Sequence, residues 1–179
     1  MQEFGYAARE FLLANDFIPG ELIPAYDSVA NGLLSDLDAF FATPHHSIRL
    51  HGDCHMGNVL WRDATPHFVD FDDARSGPAI QDLWMMLSGD PSEQSEQMRH
   101  ILIGYRDFAD FDYSQLRLIE PLRTLRMMYH AAWLARRWDD PAFPRAFPFF
   151  NTERYWSEHI LELREQWSKL SEPALTVYD

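Results

Sequence analysis

The sequence predicts a mostly α fold carrying one small β-hairpin. Two observations predict the helices and the hairpin. Apolar residues recur at spacings of three and four over most of the chain, and that period breaks between Ser47 and Phe71, where short apolar runs flank a polar turn. A third observation points to where function lies: the break is also where histidines, carboxylates and an asparagine concentrate.

The elements follow in order. Residues 2–14 read as a helix with Phe4, Ala8, Phe11 and Leu12 on one face. Asp16–Pro24 reads as a loop, punctuated by Pro19-Gly20 and Pro24. A second helix is expected over Asp27–Ala42, its face formed by Val29, Leu33, Leu34, Leu37, Phe40 and Phe41. Ser47–Leu50 is a short strand. Val59–Trp61 and His67–Phe71 form two more, joined by a turn at Arg62–Pro66. Helices resume at Pro78–Leu87, Ser92–Phe108 and Pro121–Trp138, the last with Leu122, Leu125, Met128, Tyr129, Ala132 and Trp133 inward. Pro141, Pro144 and Pro148 mark an irregular stretch, and a final helix starts at Asn151 or Thr152 as N-cap and reaches Leu170.

A chain of 179 residues that is 46% hydrophobic and 15% aromatic can bury a proper core. Its net charge of -13 repels a phosphate backbone, so nucleic acid is not an expected partner. One cysteine, Cys54, excludes an internal disulfide. No apolar run is long enough for a membrane span and no secretory leader begins the chain, so a cytoplasmic protein without membrane partners is expected.

The chemistry resides in His51-Gly52-Asp53-Cys54-His55-Met56-Gly57-Asn58 and Val69-Asp70. Phosphoryl transfer needs a carboxylate to take the attacking hydroxyl's proton, and hard oxygen ligands for Mg²⁺ beside the phosphates. Kinase catalytic loops supply an Asp with an Asn five positions later, then an Asp beyond a following strand. Asp53 and Asn58 have that separation, and the hairpin can carry Asp70 back beside Asn58.

These residues resemble the aminoglycoside phosphotransferase and choline kinase group, whose loop reads H-G-D-x-H-x-x-N; His51, Gly52, Asp53, His55 and Asn58 match it. Leu50–Arg62, Phe68–Leu87, Ile119–Arg126 and Arg136–Phe143 are most similar to the bacterial stress-response kinase A family, the YihE- or RdoA-like serine/threonine protein kinases. The resemblance implies the carboxy-terminal, large lobe of the protein kinase-like fold over residues 1–179. It implies Mg²⁺ as cofactor, ATP as substrate, and a hydroxyl acceptor, with protein Ser or Thr preferred over a small molecule. Asp53 would be the catalytic base, Asn58 and Asp70 the metal and nucleotide contacts with Asp70 also catalytic, and His51, His55 and Asp82 supporting residues. The pattern departs from a whole kinase in one respect. Lys169 is the single lysine and no G-x-G occurs, so an amino-terminal lobe holding the ATP phosphates is expected to be a missing partner, and the isolated chain inactive. Such a chain would show an apolar patch around Phe4, Tyr6 and Phe11.

Rival readings accompany this one. The chain could be a non-catalytic binding or regulatory lobe, or a metal-dependent hydrolase using His51, Asp53 and His55. Cys54 reads as a small buried hydrophobe before it reads as a nucleophile. Arg123, Arg126, Arg136 and Arg137 read as a helix face pairing with local acids before they read as a phosphate grip.

Overall fold

The computed structural model describes residues 1–177, in two compact units. One unit comprises Met1–Thr43 and Glu120–Glu172; the other comprises Pro44–Ile119 with the tail from Pro173.

The first unit is helical. A π-helical turn, Gln2–Tyr6, runs directly into α1 (Ala7–Ala14). The second helix, α2, spans Ile23–Ala42, four residues earlier than its apolar period suggests. Pro24 lies in its first turn, where a proline's missing N–H costs nothing and its fixed φ favours the helix. Pro24 therefore opens a helix rather than closing a loop. Tyr26, Val29, Leu33, Leu34 and Leu37 form the buried stripe of α2, and the core closes with Leu12, Leu125, Met128, Phe150, Trp156 and Leu163. Phe4, Tyr6 and Phe11 are not a bare patch. Phe4 packs at 4.5 Å on Tyr129, the Tyr6 hydroxyl donates to Asp38 at 2.7 Å, and Arg136 lies 4.9 Å over the Phe11 ring. The arginine face behaves in two ways. Arg123 pairs with Glu120 at 3.2 Å, whereas Arg136 and Arg137 cover the aromatic rings of Phe11 and Trp133.

The second unit holds the strands. These are β1 (Ile48–Leu50), β2 (Val59–Arg62), β3 (Thr65–Phe68) and β4 (Arg75–Gly77). The hairpin pairs β2 with β3 antiparallel, Val59 opposite Phe68 and Arg62 opposite Thr65. Its turn is only Asp63-Ala64, both left-handed at φ 51° and 59°, the geometry that matches strand twist. An alanine there costs about 1 kcal/mol relative to glycine. β1 pairs with β4, a contact the sequence pattern did not reveal. The remaining helix of the loop region, α3, is short (Ile80–Trp84), and α4 (Pro91–Tyr105) starts at a full capping box between Asp90 and Glu93. The second unit ends in a 3₁₀ stretch, Tyr113–Leu118, and the chain then returns to the first unit, which holds α5 (Ile119–Arg136) from Glu120 onward and the two helices after it. The proline-rich segment contains a short α6 (Ala142–Ala146), and α7 (Glu153–Lys169) is capped by the Thr152 side chain accepting from Tyr155 N–H at 3.1 Å.

His159 on α7 is a buried titratable group of the helical unit. Its ring is 4% exposed, its Nε2 has no hydrogen-bond partner, and it stacks against Tyr155 and Tyr26. Burial, with a smaller contribution from His130, lowers its pKa from 6.5 to about 4. The unfolded chain therefore takes up this proton first as pH falls. The His159 contribution to stability is complete above pH 6.5 and is lost between 6.5 and about 4. In urea titrations the wild-type chain should lose about 2 kcal/mol more stability between pH 7 and pH 5 than a His159→Phe variant. Equal losses in the two proteins would contradict a buried neutral imidazole.

Candidate active site

The loop from His51 to Asn58 is tied down from several directions within the second unit. Asp82, in the first turn of α3, accepts the backbone N–H of His51 at 2.7 Å and of Gly52 at 2.9 Å. Each N–H bond to an ionised carboxylate contributes about 1.5–3 kcal/mol. The neighbouring Gln81 donates its amide to the Gly52 carbonyl at 3.1 Å. The helix that carries both is itself fixed. Gln115, only 3% exposed, accepts from Ile80 N–H at 3.2 Å and donates to the His46 carbonyl at 3.4 Å.

His51 joins the loop to the hairpin. Its Nε2 lies 2.8 Å from the Val69 carbonyl, and a carbonyl can only accept, so Nε2 carries the proton. The free lone pair on Nδ1 then accepts from Asp53 N–H at 3.4 Å. The ring is buried and packs 4.6 Å from Phe71. With both nitrogens committed to backbone, His51 offers no lone pair to a zinc ion, which speaks against the His51–Asp53–His55 hydrolase.

Gly52 is required by two features at once. Its φ is +92°, and a Cβ built there would lie 2.1 Å from the Asp73 carbonyl oxygen. That carbonyl also accepts from Arg75 Nε at 2.8 Å, while Arg75 Nη2 grips the Asp73 carboxylate at 2.7 Å. Asp73, to which the sequence assigned no role, is thus part of the wall behind the loop. Gln81 and Arg75 were missed as well. Gln81 stands next to Asp82 in a short polar helix start, which is a usable signal; nothing in the sequence around Arg75 marks it.

Asn58 is buried, and its Nδ2 donates to the Asp53 backbone carbonyl at 3.0 Å. This fixes the amide so that Oδ1 is the atom left for a ligand. The Asn58 backbone carbonyl accepts from Val69 N–H at 3.1 Å, one residue before Asp70. The hairpin thus returns Asp70 beside Asn58. Asp70 is exposed and holds a left-handed φ of 65°, a conformation that Asp tolerates better than most side chains. An amide oxygen and a carboxylate are hard donors, the chemistry that suits Mg²⁺. Asp53 is partly buried, and His55 Nε2 lies 3.5 Å from its Oδ2. Cys54, in contrast, is buried, and burial pushes its thiol up to about 11, with Asp82 and Asp53 adding to the effect. It is no thiolate nucleophile.

A mostly α chain with small antiparallel pairs, a glycine-turned loop carrying Asp53 and Asn58, and a hairpin returning Asp70 has the architecture of the kinase-like fold's large lobe. The chain belongs to the phosphotransferase enzyme family, which it matches over residues 9–119. Across 98% of its length it is 45% identical to stress response kinase A of Escherichia coli strain K12 and to the serine/threonine protein kinase RdoA of Salmonella typhimurium strain LT2. It is 44% identical to stress response kinase A of Shigella flexneri. It spans about half of these relatives, 53% of each. Among the described residues no helix is long and apolar enough to cross a membrane.

The loop geometry yields a direct expectation. Gly52→Ala meets both a positive φ and a backbone oxygen, so it should destabilise the second unit by about 2 kcal/mol or more. Thermal denaturation of the variant reads this, and an unchanged midpoint would mean that the loop does not hold this backbone path.

Proposed function

We propose that the chain carries the catalytic loop of a Mg²⁺- and ATP-dependent kinase that phosphorylates a hydroxyl group, with serine or threonine in proteins as the acceptor class. The observation that carries this is the fixed orientation of Asn58. Its amide nitrogen is held by the Asp53 carbonyl, which leaves its oxygen for a cation beside the segment that carries Asp70 after β3.

In this reading the Asp53 carboxylate accepts the proton of the acceptor hydroxyl as its oxygen attacks the γ-phosphorus of ATP. The new P–O bond forms, the bond to the β–γ bridging oxygen breaks, and ADP leaves with that oxygen. Asn58 Oδ1 and Asp70 would hold Mg²⁺, which supplies positive charge next to the transferring phosphoryl group. His51 and Asp82 keep the Asp53 backbone in register. The preference for a protein acceptor, and a role in a bacterial stress response, rest on the names of the relatives at 45% identity. The clamp on the ATP phosphates is proposed to come from polypeptide beyond these 179 residues, because the one lysine, Lys169, lies at the end of α7. The isolated chain should accordingly fold and transfer phosphate poorly, and activity should be sought in the intact protein.

The test is phosphoryl transfer from MgATP to a hydroxyl acceptor by the intact protein. Asp53→Asn should lower the rate by about 10²–10⁴-fold, the size of a lost general base, without a change in melting temperature. Asn58→Ala and Asp70→Ala should raise the Mg²⁺ concentration needed for half-maximal rate. Undiminished transfer in Asp53→Asn would remove the proposed base and favour the binding-lobe reading.

A further inference from the structure

Two sulfur atoms stand two residues apart in the candidate loop, in opposite surroundings. Cys54 is buried, and burial raises its thiol to about 11, so almost none of it is thiolate at neutral pH. Met56 is 59% exposed. Among the described residues, which include all seven methionines, it is the exposed one. Met98 and Met128 are fully buried, and the other four are half-buried. Met56 also has a particular place. It opens the 3₁₀ turn Met56–Asn58, and the Val59 N–H bonds back to its carbonyl. The ends of the loop are drawn together there. Asn58 N–H donates to the His55 carbonyl at 2.9 Å, and Asn58 Nδ2 to the Asp53 carbonyl at 3.0 Å. The exposed thioether thus belongs to a tight turn between the candidate base and the candidate metal ligand.

We propose that Met56 is a site of oxidative modification, and that its sulfoxide slows phosphoryl transfer at this loop. The oxidant class is a hydroperoxide, with hydrogen peroxide as the simplest member. A sulfur lone pair attacks one peroxide oxygen. The S–O bond forms as the O–O bond breaks, and the other oxygen leaves as water once the proton of the attacked oxygen has passed to it. Sulfur loses two electrons and the peroxide gains them. Exposure selects the residue: the buried thioethers are shielded, and the neighbouring thiol is held protonated. The rate effect rests on the reading of the loop as the transfer site. Oxidation turns a flexible apolar side chain into a polar, chiral one carrying a strong acceptor oxygen. It does so inside the turn whose N–H groups set where Asp53 and Asn58 lie, and misplacement by about 1 Å can cost a hundredfold in rate.

Two measurements test it. The folded chain is treated with hydrogen peroxide and its peptide masses are followed in time. Met56 should gain one oxygen at least about tenfold faster than Met98 and Met128. Equal rates at the three overturn the proposal. In the intact protein, the same treatment should lower kcat/KM for the hydroxyl acceptor by about fivefold or more, and methionine sulfoxide reductases A and B together should restore it. Met56→Leu, which has no sulfur to oxidise there, should keep its own rate through the treatment. Met56→Gln, polar and of similar length, should be slow without peroxide. A loss in Met56→Leu equal to the wild-type loss overturns the proposal. So does a wild-type protein oxidised at Met56 that still transfers at its full rate. Undiminished transfer in Asp53→Asn overturns the reading of the loop, and with it the rate effect; the mass measurement then still decides whether Met56 is the residue oxidised.

Discussion

One carboxylate receives two adjacent backbone N–H groups, and much of the second unit is arranged around that contact. Asp82 holds His51 and Gly52 at 2.7 and 2.9 Å. With those amides fixed, Gly52 can keep its left-handed turn against the Asp73 carbonyl. The His51 ring can then reach Val69 on the far side of the hairpin. The same turn delivers Asp53, and five residues later Asn58, whose side chain bonds back to the Asp53 carbonyl. Remove the carboxylate and two partly buried donors lose their acceptor at the point where the loop changes direction, a cost of the order of a few kcal/mol.

The support extends outward in layers. Asp82 lies on a helix of five residues, too short to be stable alone. Its first N–H is taken by Gln115, a nearly buried amide that also bonds the chain entering β1. Gln81 and the Arg75–Asp73 fork close the other sides. Polar groups with both partners satisfied fix one geometry. The helical unit is held differently, by apolar burial from Leu12 through Leu163 and by rings packed edge to face around Trp156 and Phe150.

Much of this was legible in the sequence, for identifiable reasons. The long helices announce themselves because apolar spacing is dense enough to count, and Thr152 is a good cap by residue type alone. The Asp53–Asn58 interval and the return strand to Asp70 are set by chain geometry, so they could be read as a group. What was hidden depends on tertiary contact. The β1–β4 pair is three residues long on each side and has no alternation to detect. Pro144 masked α6, although a proline is tolerated within the first turn of a short helix. The turn at Asp63-Ala64 is tighter than expected because an alanine accepts a left-handed backbone when both flanking strands are paired. Arg75 gives no local sign of its role, since its partners are a carbonyl and a carboxylate two residues back, and only folding shows that Gly52 needs that wall.

Asp82 fixes the loop that carries the candidate base. Hydrogen exchange at the His51 and Gly52 amides tests it most directly, because those two N–H groups are the ones the carboxylate holds. In an Asp82→Ala chain that remains folded, both amides should exchange at least about tenfold faster than in the wild type, while amides in the core of α7 keep their protection. Unchanged exchange at His51 and Gly52 would contradict the account, because the loop would then be held by something other than Asp82.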